Sequence, residues 1–133
     1  MYRIHVDESL ALVELRLEGT IREDETRRFI DESLVATRSL TAQGRSIRVL
    51  SDMRYLKAAS PEATEILRKG QEAAMGAGMR RLAQVVDSEL TALQLNRVAR
   101  ASGMDRIMRR FADERDARRW LMSDVDDQLD SSP

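Results

Sequence analysis

The chain has no cysteine and a single histidine among its 133 residues. The absence of cysteine excludes disulfides, thiol catalysis and zinc sites built on cysteine. His5 lies on the polar side of a predicted strand, where we expect a solvent-exposed side chain. Nucleophilic catalysis assisted by a histidine would require that one residue. We therefore expect no enzymatic activity, no cofactor and no metal site.

Aromatic residues and net charge are also scarce. The chain has two tyrosines, two phenylalanines and one tryptophan, and its 22 basic residues nearly balance its 23 acidic ones. A nearly neutral chain without interleaved basic and aromatic residues is not typical of a nucleic-acid-binding protein. No apolar run approaches the about 18 residues of a membrane span, and the first ten residues lack the apolar segment of a signal peptide. We predict a cytoplasmic protein that neither binds nucleic acid nor inserts into a membrane.

Charged residues near strand ends and near the C-terminus admit a functional and a structural interpretation. Asp52 and Asp87 each follow a predicted strand, and paired carboxylates there could bind a cation, but a loop or an arginine such as Arg54 more often engages them. A C-terminal group of arginines is interleaved with acidic residues, which favours local ion pairs over an anion site. These arginines are Arg106, Arg109, Arg110, Arg115, Arg118 and Arg119.

The hydrophobic pattern switches repeatedly between the period of strands and that of helices. Alternating apolar and polar residues near the N-terminus predict two antiparallel strands, and short apolar runs later predict buried strands. Acidic starts, serine or aspartate caps and glycine ends delimit the helices. The predicted strands are residues 2–6, 11–17, 47–51, 82–86 and 107–111, and the predicted helices are residues 23–43, 61–77, 88–103 and 113–121.

The resulting order is β-β-α-β-α-β-α-β-α. Since strand–helix–strand crossovers are almost always right-handed, this order predicts an α/β fold with a mixed, mainly parallel sheet of about five strands flanked by four helices. We expect one domain over residues 1–121. The acidic, aperiodic residues 122–133 predict a disordered tail.

The connection between residues 47–51 and the helix at 61–77 is the best candidate for a functional surface. Ser60 is placed to cap that helix, with Pro61 and Glu62 in its first turn. Open α/β sheets usually bind ligands where strands end, and a helix N-terminus tolerates a phosphate. We expect this connection to dock a protein partner. The expected contact residues are Asp52, Arg54, Tyr55, Leu56, Lys57, Pro61 and Glu62.

Four stretches of the chain carry a family resemblance. They are VELRLEGTI at 13–21, VLSDMRYLKAASPEATEIL at 49–67, LAQVVDSELTALQLNRVA at 82–99 and RRFADERDARRWL at 109–121. Together with the order of elements, they resemble the STAS domain (sulfate transporter and anti-sigma factor antagonist). The resemblance is closest to its SpoIIAA-like branch, which is also labelled STAS/SEC14-like.

This resemblance implies a regulatory protein-interaction module without enzymatic activity. In anti-sigma factor antagonists of the family, the corresponding connection carries an aspartate, two serine or threonine positions and a glycine. A partner kinase phosphorylates the second hydroxyl. Ser60 stands at the acceptor position here, while Ala58 replaces the aspartate and Pro61 replaces the glycine. The resemblance thus implies that Ser60 is a phosphoacceptor or a helix cap, and that the partner is a kinase or an anti-sigma-like regulator.

A second hypothesis is a domain that binds a small apolar or lipid-like ligand, as the SEC14-like label implies. Several methionines could line an adaptable cavity, although methionine more often fills gaps in a core. An enclosed apolar pocket of several hundred Å3 would favour this hypothesis, and a solid core with an exposed connection would favour the interaction module. The small residues at positions 73–78 could also form a contact surface for a second copy of the chain, so a homodimer is a further possibility. The methionines concerned are Met53, Met75, Met79, Met104 and Met108.

Overall fold

The structure is a computed structural model that describes residues 1–123. Within this range the chain forms seven strands, four α-helices and one short 3-10 helix. The strands are β1 (Tyr2–Asp7), β2 (Leu12–Leu17), β3 (Gly19–Ile21), β4 (Ile47–Asp52), β5 (Leu56–Ala59), β6 (Met79–Val85) and β7 (Met108–Phe111). The helices are α1 (Glu23–Thr41), α2 (Pro61–Gly76), α3 (Glu89–Ser102) and α4 (Glu114–Leu121), and the 3-10 helix is Met104–Arg106.

Five of these strands form the main sheet, in the order β1-β2-β4-β6-β7. β1 and β2 pair antiparallel, whereas the other neighbours pair parallel. Helices connect the parallel strands, because a tight turn cannot join parallel neighbours. This mixed, mainly parallel sheet with four helices confirms the predicted fold class.

The helices lie on both faces of the sheet. α1, α2 and α3 cover one face, where Leu17 of β2 packs with apolar residues of all three helices. α4 covers the other face, where Leu12 of β2 packs in one cluster with Ala117 and Leu121. Since successive side chains of a strand point to opposite faces, Glu14 and Arg16 share the second face with Leu12. That face therefore carries charged side chains beside α4.

β3 and β5 form a separate, two-stranded parallel sheet. The prediction of an irregular connection between β4 and α2 is wrong for Leu56–Ala59, which form β5. Lysine and alanine have low strand propensity, so the partner strand β3 imposes the extended conformation. Gly19 has a φ of +72°, and its N–H donates to the Tyr55 carbonyl oxygen at 2.8 Å. A glycine in the left-handed region thus turns the chain from β2 towards β5.

α1 and α2 approach closely at Gly70. A β-carbon at this position would lie 2.9 Å from Ile30 Cγ1 and 3.0 Å from Ile30 Cγ2. Such distances are too short for carbon atoms, so the two helices can pack at this separation only because residue 70 has no side chain.

Local hydrogen bonds close the last turn of α4. The Met122 N–H donates to the Arg118 carbonyl oxygen at 3.1 Å, and Ser123 Oγ donates to the Trp120 carbonyl oxygen at 2.9 Å. The rest of the predicted tail at 122–133 lies outside the described residues. Within residues 1–123, no helix combines the length and the apolar character needed to cross a membrane.

Candidate functional site

Ser60 lies between β5 and α2 and caps the helix. Its backbone is extended, with φ −62° and ψ 159°, and its Oγ accepts a hydrogen bond from the Ala63 N–H at 3.1 Å. Its own N–H donates to the Ile21 carbonyl oxygen at 3.2 Å, which ties the cap to β3. Pro61 occupies the first helical turn, where an N–H has no helical acceptor. The predicted cap geometry is therefore present.

A shallow hollow of about 450 Å3 adjoins Ser60. Thr20 and Arg22 line it from one side, and Ala58 and Glu62 line it from the other. α1 begins at this hollow without a side-chain cap, since Arg22 occupies its N-cap position. Two helix N-termini thus border the hollow, and both favour negative charge there.

Asp52, at the end of β4, is the centre of a charged network. It is 6% exposed, and its Oδ2 accepts from Arg54 Nη2 at 2.9 Å and from Arg16 Nη2 at 3.1 Å. Its Oδ1 accepts from Arg54 Nε at 3.0 Å and from the Arg54 N–H at 3.1 Å. Burial raises the pKa of the Asp52 carboxyl, but the hydrogen bonds from both arginines outweigh burial and hold it below its usual value. The Asp52 hydrogen bonds in turn raise the pKa of Arg54, so both groups stay charged.

The same arginines hold the exposed ring of Tyr55. The Arg16 guanidinium carbon lies 4.5 Å from the ring centroid and that of Arg54 lies 5.6 Å from it. These are cation–π distances. Tyr55 is nevertheless 47% exposed, so the network presents a fixed aromatic ring to solvent.

The other predicted contact residues divide between the surface and the interior. Lys57, Pro61 and Glu62 are exposed, whereas Leu56 is buried in the core beneath α2 and α3. Asp52 is also buried and engaged by arginines. The structure therefore places Arg54, Tyr55, Lys57, Pro61 and Glu62 along one edge, with Asp52 and Leu56 behind them.

A groove between α2 and α3 opens beside this edge. Its volume is about 520 Å3. Its floor and walls are largely aliphatic, and charged side chains border it, Arg68 and Glu65 on α2 and Arg97 on α3. The apolar lining consists of Leu56, Ala58, Ala59, Pro61, Leu67, Leu95, Val98 and Ala101.

Two leucines near the start of α3 are exposed to solvent. Leu90 is 68% exposed and Leu93 is 52% exposed, while Leu95, Val98 and Ala99 are buried. The predicted helix at 88–103 contains all of these residues. The position of the helix on the sheet decides which of these side chains are buried. The helix carries more leucines than one face can bury, and this is the feature of the sequence that could have indicated exposed leucines.

A small, partly open cavity lies between the sheet and α1, α2 and α3. Its volume is about 70 Å3, below the several hundred Å3 expected of an enclosed lipid pocket. Met53 lines it, whereas Met75, Met79 and Met108 pack against a separate apolar cluster that includes Leu40, Val49 and Leu82 and in which Met104 is fully buried. The core is therefore well filled, and most of these methionines act as packing.

The other charged candidates sit apart from this edge. His5 is confirmed as solvent-exposed, with its Nε2 3.8 Å from Glu14. Asp87 is exposed, and within residues 1–123 no group of three or more His, Cys, Asp or Glu side chains is placed to hold a metal ion. Among the C-terminal arginines, Arg118 pairs with Glu14 and with Glu114.

Other members of that arginine group also have local contacts. Arg119 Nη1 lies 3.8 Å from Asp116, and Arg110 hydrogen-bonds Asn96. Arg109 lies over the Trp120 ring, which packs against Phe111 at 5.7 Å between centroids. Half-buried Trp120 thus anchors α4, and the arginines around it are engaged locally.

The order of elements and the mixed, mainly parallel sheet define a STAS-type α/β domain. The SpoIIAA-like family model matches residues 12–122, and the chain therefore belongs to the SpoIIAA-like family. None of the curated proteins compared with the chain matches it.

Two solved structures share the fold. An uncharacterised protein of the DUF3478 family from Shewanella loihica PV-4, with a SpoIIAA-like fold, aligns with a TM-score of 0.63 at 20% identity. That alignment covers 90% of this chain and 93% of the other. The anti-sigma factor antagonist SpoIIAA in its unphosphorylated form aligns with a TM-score of 0.57 at 12% identity, covering 100% and 99% of the two chains.

Proposed function

We propose that this protein is a non-enzymatic, regulatory protein-interaction module of the cytoplasm. Its docking surface is the edge formed by Arg54, Tyr55, Lys57, Pro61 and Glu62 around Ser60, which we name the Ser60 edge. Asp52 and Leu56 support this surface from behind. The partner is another protein, of the kind that a kinase or an anti-sigma-like regulator represents.

The observation that carries this proposal is the fixed and exposed ring of Tyr55 beside the Ser60 cap. An aromatic ring that two arginines hold in place loses little side-chain entropy on binding, and such residues contribute strongly to interfaces. Exposed Leu90 and Leu93 add apolar area near the same end of the sheet. The similarity of the fold to that of an anti-sigma factor antagonist supports the proposal of an interaction module.

Ser60 gives this surface a means of regulation. A phosphate at Oγ would add about −1.5 to −2 charges between two helix N-termini, next to Glu62. Because the helix ends favour that charge, we expect the fold to persist and the docking surface to change. Phosphorylation of Ser60 would therefore switch the partner's affinity.

Site-specific crosslinking in the native host tests the proposal. A photoreactive phenylalanine analogue replaces Tyr55, Lys57 or Glu62 in turn, and the same analogue at Val35 serves as the control. Val35 is 67% exposed on α1 and belongs to none of the contact residues. We expect one host protein to crosslink from all three edge positions and not from position 35.

Two results would contradict the proposal. The first is the same set of adducts from Val35 as from the edge, which would indicate random contact. The second is no protein adduct from any edge position although the variants are folded by circular dichroism. Phosphopeptide mapping of the recovered protein then shows whether Ser60 is modified.

We propose binding of a small apolar ligand as a second function. The observation that favours it is the groove of about 520 Å3 between α2 and α3, with its aliphatic lining. Pockets of several hundred Å3 with a few polar groups are typical of small-molecule sites. The cavity of about 70 Å3 between the sheet and the helices is too small for this role by itself, so the ligand would have to occupy the groove.

A further inference from the structure

Two polar side chains face each other inside the core. Ser51 on β4 and Gln84 on β6 are opposite each other in the sheet register, and both point to the face covered by α1, α2 and α3. Ser51 is 4% exposed and Gln84 is 3% exposed. Buried polar groups almost always have hydrogen-bond partners. Here Gln84 Oε1 is fully buried and has no hydrogen-bond partner among residues 1–123.

Both side chains line the small cavity between the sheet and α1, α2 and α3, and every other residue around it is uncharged. A charged group would be costly in such surroundings, because no opposite charge compensates for its desolvation. A neutral hydroxyl can instead donate to Gln84 Oε1 and accept from Ser51 Oγ. The cavity therefore suits a neutral polar group.

The cavity and the groove are adjacent. Leu67 of α2 and Leu95 of α3 line both of them, so these two side chains separate the inner cavity from the groove between α2 and α3. The cavity, at about 70 Å3, is about half the size of a cavity of about 150 Å3 that accepts benzene. It can hold a small head group, and an attached aliphatic chain would have to pass between the leucines into the groove.

We propose that the cavity and the groove together bind a single-chain amphiphile with a neutral hydroxyl head. The head hydrogen-bonds Ser51 and Gln84, and the chain extends between Leu67 and Leu95 along the α2–α3 groove. This inference rests on the second proposed function and adds the class of ligand and its orientation. It is independent of docking at the Ser60 edge.

Titration of the full chain with 1-octanol, followed by NMR of methyl groups and side-chain amides, tests the inference. Sodium octanoate, with a similar chain and a charged head, is the control ligand. Gln84→Met removes the hydrogen-bonding group from the cavity. Gln94→Met makes the same substitution at a residue that lines only the groove, and it is the matched control.

We expect saturable shifts of the Gln84 amide and of the Leu67 and Leu95 methyl groups with 1-octanol. Gln84→Met should weaken 1-octanol binding at least about tenfold, because a hydrogen bond to the head is lost. Gln94→Met should change it by less than about twofold, since hydrogen bonds at an exposed site exchange with water. Octanoate should bind the unmodified protein at least about tenfold more weakly than 1-octanol.

The possible outcomes distinguish a failure of this inference from a failure of the second proposed function. Octanol shifts confined to the groove, with the Gln84 amide unchanged, would overturn the inference and leave the second function standing. No saturable shift with either ligand would overturn both the inference and the second function. Water as the sole occupant detected beside Gln84 would overturn the inference alone. If Gln84→Met does not fold, Ser51→Ala and the comparison of octanol with octanoate decide.

Discussion

Arg16 and Asp52 lie opposite each other on the neighbouring parallel strands β2 and β4, with Arg16 Nη2 3.1 Å from Asp52 Oδ2. Arg54 engages the same carboxylate from the connection that follows β4. Because both guanidinium groups also lie at the Tyr55 ring, one buried carboxylate fixes an exposed aromatic residue. The charge network thus links the sheet to the Ser60 edge.

Asp52→Asn should lower the free energy of unfolding by about 2–3 kcal/mol. Removing the charge of a buried carboxylate leaves two arginines without their partner, and partial solvation of these arginines reduces the cost below that of a fully buried pair. Glu18→Gln is the control, since half-buried Glu18 makes a longer contact of 3.4 Å with Arg16 and is more exposed than Asp52, so its substitution should cost less than about 1 kcal/mol. Urea unfolding measures the free energy of unfolding of both variants, and an equal decrease in the two would contradict the special role of Asp52.

The stabilisation that Asp52 provides should depend on pH. Its folded pKa is lowered, so its contribution is complete above the unfolded pKa of about 4 and is lost as the pH falls through the lower folded pKa. The difference in unfolding free energy between the unmodified protein and Asp52→Asn should stay constant from pH 7 to about 5 and shrink below about 4. Urea midpoints at several pH values measure it, and a difference that stays constant at pH 3 would contradict the assignment.

Gly70→Ala should destabilise the protein by about 1–2 kcal/mol. The new methyl group would clash with Ile30. The destabilisation caused by overpacking is larger than the stabilisation gained from the higher helix propensity of alanine. Gly76→Ala is the matched control, because a β-carbon there meets no atom within 4 Å, and it should stabilise by about 0.5 kcal/mol. In an Ile30→Ala background the cost of Gly70→Ala should vanish, and a cost that persists would contradict the proposed contact.

Substitutions of Ser60 should distinguish the effect of helix capping from the effect of a negative charge at position 60. Ser60→Ala should lower the unfolding free energy by about 1 kcal/mol, because the Ala63 N–H loses its acceptor. Ser60→Asp and Ser60→Asn should both keep the melting temperature nearly unchanged, since both residues cap helices well. Binding of the crosslinked partner should weaken for Asp and not for Asn. Equal affinity of these two variants would contradict a charge-operated switch.

Local sequence patterns were sufficient for most of the elements. The predicted helix at 61–77 is α2 (Pro61–Gly76), because Ser60, Pro61 and a glycine stop specify its ends. The strand at 47–51 is β4, because a buried parallel strand needs apolar residues on both faces. The sequence pattern did not predict β5, because its extended conformation depends on pairing with β3, more than 30 residues away in the chain.

By itself, the sequence determined the order of strands and helices, the mainly parallel sheet and the capping position of Ser60, because these depend on periodicity and on local backbone chemistry. Only the tertiary structure decided that Arg16 meets Asp52, that Gly70 lies against Ile30, and that Leu67 and Leu95 stand between a cavity and a groove. Each of these depends on side chains from elements distant in the chain. Their contact follows from sheet register and helix packing, which no local pattern encodes.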